Sequence, residues 1–237
     1  MDQLKPCCFT GFRHEGQSKG QFKTVAGLET YITGEDSENV IVILTDIFGN
    51  KLNNTLLVAD QLAEGTKTQV FIPDILKGDP IVDIGKVDKA KWFADHSAEE
   101  TNSIITAFLK QLHSEKSPKK VFGVGYCFGA KFAILQLAKG GYFSAAAVAH
   151  PSLVTPEDVE NIERPLLISV GDEDAMFTEE LRNKTLSILN KKNVWFQMDI
   201  FKNAPHGYAV RGDVSAPSVK YAKEKTVLDQ VYFFKSI

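Results

Sequence analysis

Cysteine is scarce in this chain: three in 237 residues, two of them adjacent as Cys7 and Cys8. So few thiols exclude a disulfide framework and make a reducing, cytoplasmic setting the expectation. No apolar run reaches the ~18 residues of a membrane span, so no membrane association is expected. The opening Met1-Asp2-Gln3-Leu4-Lys5-Pro6 has no apolar signal region. An excess of one charge sign is lacking too. Lys and Arg number 27 against 30 Asp and Glu, a net charge of −3, without the basic stripe of a nucleic-acid binder. The one basic cluster, Lys116-Ser117-Pro118-Lys119-Lys120, reads as a solvated loop between helix and strand. Cys7, Cys8 and His14 match no zinc spacing, so neither a metal nor a cofactor is expected. With no internal repeat and no linker, residues 1–237 are read as a single domain. The expected partner is a small-molecule substrate, with the chain a monomer or weak homodimer.

What is present is an alternation of strand and helix patterns. Val40-Ile41-Val42-Ile43-Leu44 is the near-continuous β-branched run of a strand buried on both faces of a parallel sheet. Gln69–Ile72, Val121–Val124, Ser144–Ala149, Pro165–Val170 and Val194–Phe201 repeat the theme, and Phe22 to Ile32 reads as an early strand or hairpin. Helical spacing runs over Asn53–Ala63, Thr178–Asn190 and Pro217–Phe234. Another helix opens at Ser97-Ala98-Glu99-Glu100, read as a capping box, and buries Ile104, Ile105, Phe108, Leu109 and Leu112. Residues 75–96 are polar and interrupted, and loops of that length are usually functional or mobile. The order predicts an α/β protein with a mostly parallel sheet and helices on both faces. Functional residues of such sheets gather beyond the C-terminal strand ends. Asp46, Cys127, His150, Asp174 and His206 all follow a predicted strand.

Gly125-Tyr126-Cys127-Phe128-Gly129 stands between a strand and a helix. This is the grammar of a nucleophile elbow, with cysteine in place of serine. The two glycines leave room for strand and helix to approach at a strained turn. The sulfur then faces a helix N-terminus, where amide N–H groups favour a thiolate or an oxyanion. A structural cysteine buried in a Gly-rich turn is the plainer alternative. The order Cys127, Asp174, His206 is that of an α/β-hydrolase triad, with Asp172 the competing acid. The oxyanion donors would be the backbone N–H groups of Phe128 and Ile47. His14, His96 and His113 read as structural or surface residues, and His150 as either pocket or packing.

The chain resembles the dienelactone hydrolases, or carboxymethylenebutenolidases. The resemblance rests on Asp46-Ile47-Phe48-Gly49, Pro73-Asp74, Gly125-Tyr126-Cys127-Phe128-Gly129, Asp174 and His206-Gly207-Tyr208. The Cys7-Cys8-Phe9 start and the Ala130-Lys131-Phe132-Ala133 stretch resemble the family's fungal branch. The resemblance implies an α/β-hydrolase fold without a large cap. It also implies hydrolysis of an unsaturated lactone or activated ester through an acyl-cysteine. Bacterial members place a glutamate against the resting thiol, and Asp46 holds that position here. They also grip a substrate carboxylate with two arginines. Arg211 can serve as one of these, while residues 75–96 hold no arginine, only lysines such as Lys77, Lys89 and Lys91. Arg211 is thus expected over the pocket mouth or, alternatively, paired with Asp213. Tyr126, Asp46 and His150 complete the expected surroundings of the substrate. A thioesterase or deacylase with the same triad is the first rival reading. A non-catalytic binding protein or thiol redox sensor that keeps the elbow is the second.

Overall fold

A computed structural model describes residues 12–83 and 85–237. Cys7 and Cys8, with the metal question attached to them, lie outside the described residues. A hairpin of β1 (Gln21–Val25) and β2 (Leu28–Thr33) opens one eight-stranded sheet. It is followed by β3 (Asn39–Leu44), helix α1 (Asn53–Thr66) and β4 (Gln69–Pro73). Then come α2 (Lys89–Asp95), α3 (Ala98–Lys116), β5 (Lys120–Tyr126) and α4 (Phe128–Leu135). The second half runs β6 (Ala145–Ala149), α5 (Pro156–Glu160), β7 (Leu166–Gly171), α6 (Glu179–Leu189), β8 (Phe196–Phe201), α7 (Tyr208–Arg211) and α8 (Pro217–Ser236). Strand order is β1-β2-β4-β3-β5-β6-β7-β8. Pairing is antiparallel for β1–β2 and β2–β4 and parallel from β4 onward.

Every residue of β3 after Asn39 is fully buried, as its unbroken apolar run requires of a strand covered on both faces. On one face Val40, Val42 and Leu44 join a core completed by Trp92 of α2 and apolar residues of α3, α4 and α6. On the other, Ile41 and Ile43 meet α1, α7 and α8. Register then sets the site. Leu44 lies beside Gly125, Tyr126 beside Ala149, Ala149 beside Ser169 and Gly171 beside Phe201. The strands therefore end nearly level, and the segments leaving them share one sheet edge. Among the described residues no helix is long and apolar enough to cross a membrane.

Local differences from the sequence reading have simple causes. The Ser97 hydroxyl accepts from the Glu100 N–H at 3.2 Å, one arm of the expected box. The Glu100 carboxylate instead pairs with Lys77 at 2.8 Å, tying α3 to the preceding loop. Within residues 75–96 the short helix α2 is capped by Asp88, and Trp92 anchors it by stacking on His96. The Pro73-Asp74 pair folds the start of this loop: Asp74 accepts from the N–H groups of Leu76 and Gly78. Helices α5 and α7 have five and four residues, too short to show a period.

Candidate active site

The turn after β5 is strained where an elbow must be. Cys127 has φ 50° and ψ −109°, outside the usual basins for a side chain with a Cβ. Glycine is required on both sides for different neighbours. A Cβ on Gly125 would lie 2.6 Å from the Ala130 Cα, so this glycine lets helix α4 fold back on its strand. A Cβ on Gly129 would lie 2.1 Å from the Leu44 carbonyl oxygen, so this one lets the helix start touch the end of β3. The second contact brings Phe128, first residue of α4, beside the loop that carries Ile47. The first N–H groups of a helix lack partners within it, and that of Phe128 belongs to this set.

Cys127 is fully buried, with the His206 Nε2 3.1 Å from its Sγ. On the other side of the ring, Nδ1 lies 2.9 Å from each carboxylate oxygen of Asp174. Asp174 is held in turn by the N–H groups of Met176 and Phe177, donating at 2.8 and 3.3 Å. Asp172 is committed elsewhere: it accepts from Lys202 Nζ at 2.5 Å and from the Asn203 N–H at 2.8 Å, joining the ends of β7 and β8. Burial opposes a charge on His206, but the facing Cys127 sulfur and Asp174 carboxylate outweigh it and raise its pKa to about 10. Cys127→Ala removes the sulfur's share. The His206 midpoint should then fall, read by imidazole NMR titration; an unmoved midpoint would mean that the sulfur contributes nothing to the raised value.

Asp46 and Arg211 form a second buried pair beside the first. Arg211 Nε donates to Asp46 Oδ2 at 3.2 Å, and its guanidinium lies 5.1 Å from the centre of the Phe48 ring. Asp46 also accepts from the Phe48 N–H at 3.0 Å. Burial raises the Asp46 pKa to about 6; Arg211 acts against that rise and the Cys127 charge with it. Neither expectation for Arg211 describes this arrangement. The guanidinium is buried rather than spread over an open mouth, and Asp213 accepts from the Ser215 N–H and hydroxyl instead. The one-turn helix α7 is the reason, since it carries residue 211 back under the loop after β3.

Tyr126 does not face the sulfur. Its hydroxyl donates to Gln230 of α8 at 3.0 Å, and burial holds its pKa well above the usual value. Its ring stacks on His150, which stands edge-on to His206 with ring centres 5.2 Å apart. Burial, with the charges of His206 and Arg211, pushes the His150 pKa well down, so this ring is neutral behind that of His206. His96 is buried with its ring nitrogens against the Trp92 and Leu76 carbonyls, and His14 contacts the Gly212 carbonyl. Among the described residues no group of three or more His, Cys, Asp or Glu is placed to hold a metal ion.

Sequence reasoning missed Ser152. Its hydroxyl lies 3.6 Å from the Cys127 Sγ, and its N–H donates to the Cys127 carbonyl at 3.1 Å. The available signal was the strand-end His150-Pro151-Ser152 turn. Beside the elbow, α2, α4 and residues 153–155 enclose a groove of about 760 Å³, walled by Phe93, Phe128, Phe132 and Leu153 with Lys89 and Lys131 at its edge.

A family model described as the dienelactone hydrolase family matches residues 28–237. Hydrolase pyvD of Aspergillus violaceofuscus is 33% identical, over 99% of this chain and 98% of its own. Dienlactone hydrolase 1 of Gibberella moniliformis is 31% identical, over 92% of this chain and 88% of its own. Among solved structures, a dienelactone hydrolase-like promiscuous phosphotriesterase from metagenomic libraries superposes with a TM-score of 0.68. That match covers 93% of this chain and 98% of the other at 16% identity, a likeness of fold.

Proposed function

The chain belongs to the dienelactone hydrolase family, and on that footing we propose that it hydrolyses a small activated ester or lactone through an acyl group on Cys127. The observation that carries the reading is the unbroken line from Cys127 Sγ to His206 Nε2, 3.1 Å, and from His206 Nδ1 to Asp174, 2.9 Å. In this reading the thiol proton passes to Nε2, and the thiolate and imidazolium stabilise each other out of water. The sulfur attacks the ester carbon, and the charge moves to the carbonyl oxygen. The N–H groups of Phe128 and Ile47 receive it there. As the C–O bond breaks, the Nε2 proton goes to the departing alkoxide, which in a lactone stays tethered to the acyl group. His206 then takes a proton from water and the hydroxide adds to the thioester carbon; the C–S bond breaks, the acid leaves, and Cys127 returns as a thiolate beside the protonated His206. Asp174 holds the ring in the tautomer that all these steps use. The Arg211 guanidinium offsets the Asp46 carboxylate, whose charge would otherwise oppose a thiolate on Cys127.

A second reading, a thioesterase or deacylase with the same triad, is favoured by the apolar groove beside the elbow, which has room for an acyl chain. One experiment serves both. Lactones, p-nitrophenyl esters and thioesters of rising acyl length are assayed on wild type and Cys127→Ala, with mass spectrometry of the quenched enzyme. The expected result is a Cys127 adduct, loss of activity in the variant and a preference for short activated esters. Preference rising steadily with chain length would shift the assignment to the second reading. An adduct on Cys7 or Cys8, with full activity in Cys127→Ala, would sink both.

A further inference from the structure

The turn leaving β6 is bent in a way its composition does not ask for. His150 has φ 40° and Leu153 φ 61°, two non-glycine residues in the left-handed region within four positions. Side chains with a Cβ adopt that region reluctantly, and where such strain persists the surrounding structure imposes it. Here the restraints are visible. The His150 N–H donates to the Ser169 carbonyl on β7, and the Ser152 N–H donates to the Cys127 carbonyl at the elbow. Between the two strained residues stands Ser152, fully buried, with its hydroxyl 3.6 Å from the Cys127 sulfur. Among the described residues that sulfur is the only hydrogen-bond partner of the hydroxyl. A buried hydroxyl is costly unless it bonds, so the contact is what makes serine tolerable here.

The direction of the contact follows from proton counting. A thiol has one hydrogen, and its line to His206 Nε2 is the shorter at 3.1 Å. Once that hydrogen is on the imidazole, the sulfur has none to give, so the hydrogen at the 3.6 Å contact must be the hydroxyl's. From this geometry we infer that Ser152 is a donor to the Cys127 thiolate, a second arm on the sulfur beside His206, which sets how much of the thiol is ionised at rest. The inference rests on the proposed hydrolase reading only in taking that sulfur as the reacting atom.

The consequence is a trade. A hydrogen bond to the thiolate enlarges its population but withdraws charge from the attacking atom. The bond weakens as sulfur becomes a thioester, so it holds the resting enzyme more than the acylated one. Other groups bear on the same sulfur: His206 after β8 with Asp174 after β7 behind it, and Asp46 after β3, itself paired with Arg211 from α7; the neutral His150 after β6 stands against His206. Ser152→Ala leaves all of these in place, so it isolates the hydroxyl.

The test titrates the thiolate by its ultraviolet absorbance in the full-length protein without substrate. Each trace is taken as the difference from the matching Cys127→Ala protein. Ser152→Ala should raise the midpoint by about one pH unit, the low end for a hydrogen bond to a charged group. At pH above both midpoints, the alkylation rate of the Cys127 peptide by iodoacetamide should rise about threefold, as a more basic thiolate is more nucleophilic. Coincident midpoints, or a lower melting temperature with an unmoved midpoint, would mean that Ser152 only fills space, and either overturns the inference. The readout needs no turnover. A wild type inert towards every ester, with a midpoint that still moves in Ser152→Ala, would fail the hydrolase reading and leave this one standing.

Discussion

Asp174→Asn should lower kcat by about four orders of magnitude, the scale reached when an amide replaces the carboxylate behind a catalytic histidine. The cause is local. Asp174 meets Nδ1 with both oxygens at 2.9 Å, so Nδ1 carries the proton and Nε2 faces the sulfur. An amide can turn its NH₂ to Nδ1, which then becomes the acceptor, and Nε2 takes the hydrogen before the thiol can give one. The Met176 and Phe177 N–H groups donate to the Asp174 Oδ1 and can still donate to an amide oxygen, so the fold should persist. Stopped assays on a p-nitrophenyl ester, with circular dichroism as the control for folding, read the effect. Asp172→Asn is the matched comparison and should keep most activity, because Asp172 bonds Lys202 and the Asn203 N–H and not the histidine. If Asp172→Asn proves the more damaging of the two, the acid has been assigned to the wrong residue.

Arg211→Met should cost about 3–5 kcal/mol of stability at neutral to alkaline pH, the usual penalty for removing one partner of a buried ion pair. The side chain keeps its length and much of its apolar contact with Phe48 but leaves the buried Asp46 carboxylate without its ionic partner. The penalty should depend on pH with a definite sign. Asp46 holds its proton up to about 6 in the folded protein and to about 3.9 unfolded. Its proton linkage therefore favours the folded state fully below about pH 4, and that contribution is lost as pH rises through about 6. In the variant the window extends upward, since only the Phe48 N–H is left to offset burial of the carboxylate. Urea midpoints compared at about pH 5 and about pH 8 should thus show a small loss at the lower value and the full loss at the higher. Equal loss at both would mean that Arg211 acts by packing, and that its partnership with Asp46 carries little energy. Activity should fall as well. Phe48 and Asp46 frame the loop that holds the Ile47 N–H, and that loop is pinned from below by the guanidinium.

Much of this was legible in the chain because it is written in local patterns. The unbroken Val40–Leu44 run announces a strand covered on both faces, and β3 is one. The Gly-x-Cys-x-Gly spacing announces a tight strand-to-helix turn, and Cys127 stands in it with positive φ. Pattern failed where elements are shorter than a period, as in α5 and α7, and where a side chain had a choice of partners, as Glu100 did between its own helix start and Lys77.

Sequence by itself determined the fold class, the family, and the set of residues that leave the C-terminal ends of the strands, because strand length, helix spacing and glycine placement are properties of neighbouring residues. Which carboxylate reaches His206, which partner takes Arg211, and that Tyr126 turns away while Ser152 turns toward the sulfur were decided only in the tertiary structure. The reason is geometric. Asp172 and Asp174 are two residues apart, and each is a plausible acid until β8 lies down beside β7 and brings Lys202 and Asn203 to the first and His206 to the second. Arg211 and Asp46 are 165 positions apart, and Ser152 and Cys127 are 25. No rule of spacing spans such separations. They close only when strands align in register and the desolvated groups at their ends must find partners among themselves.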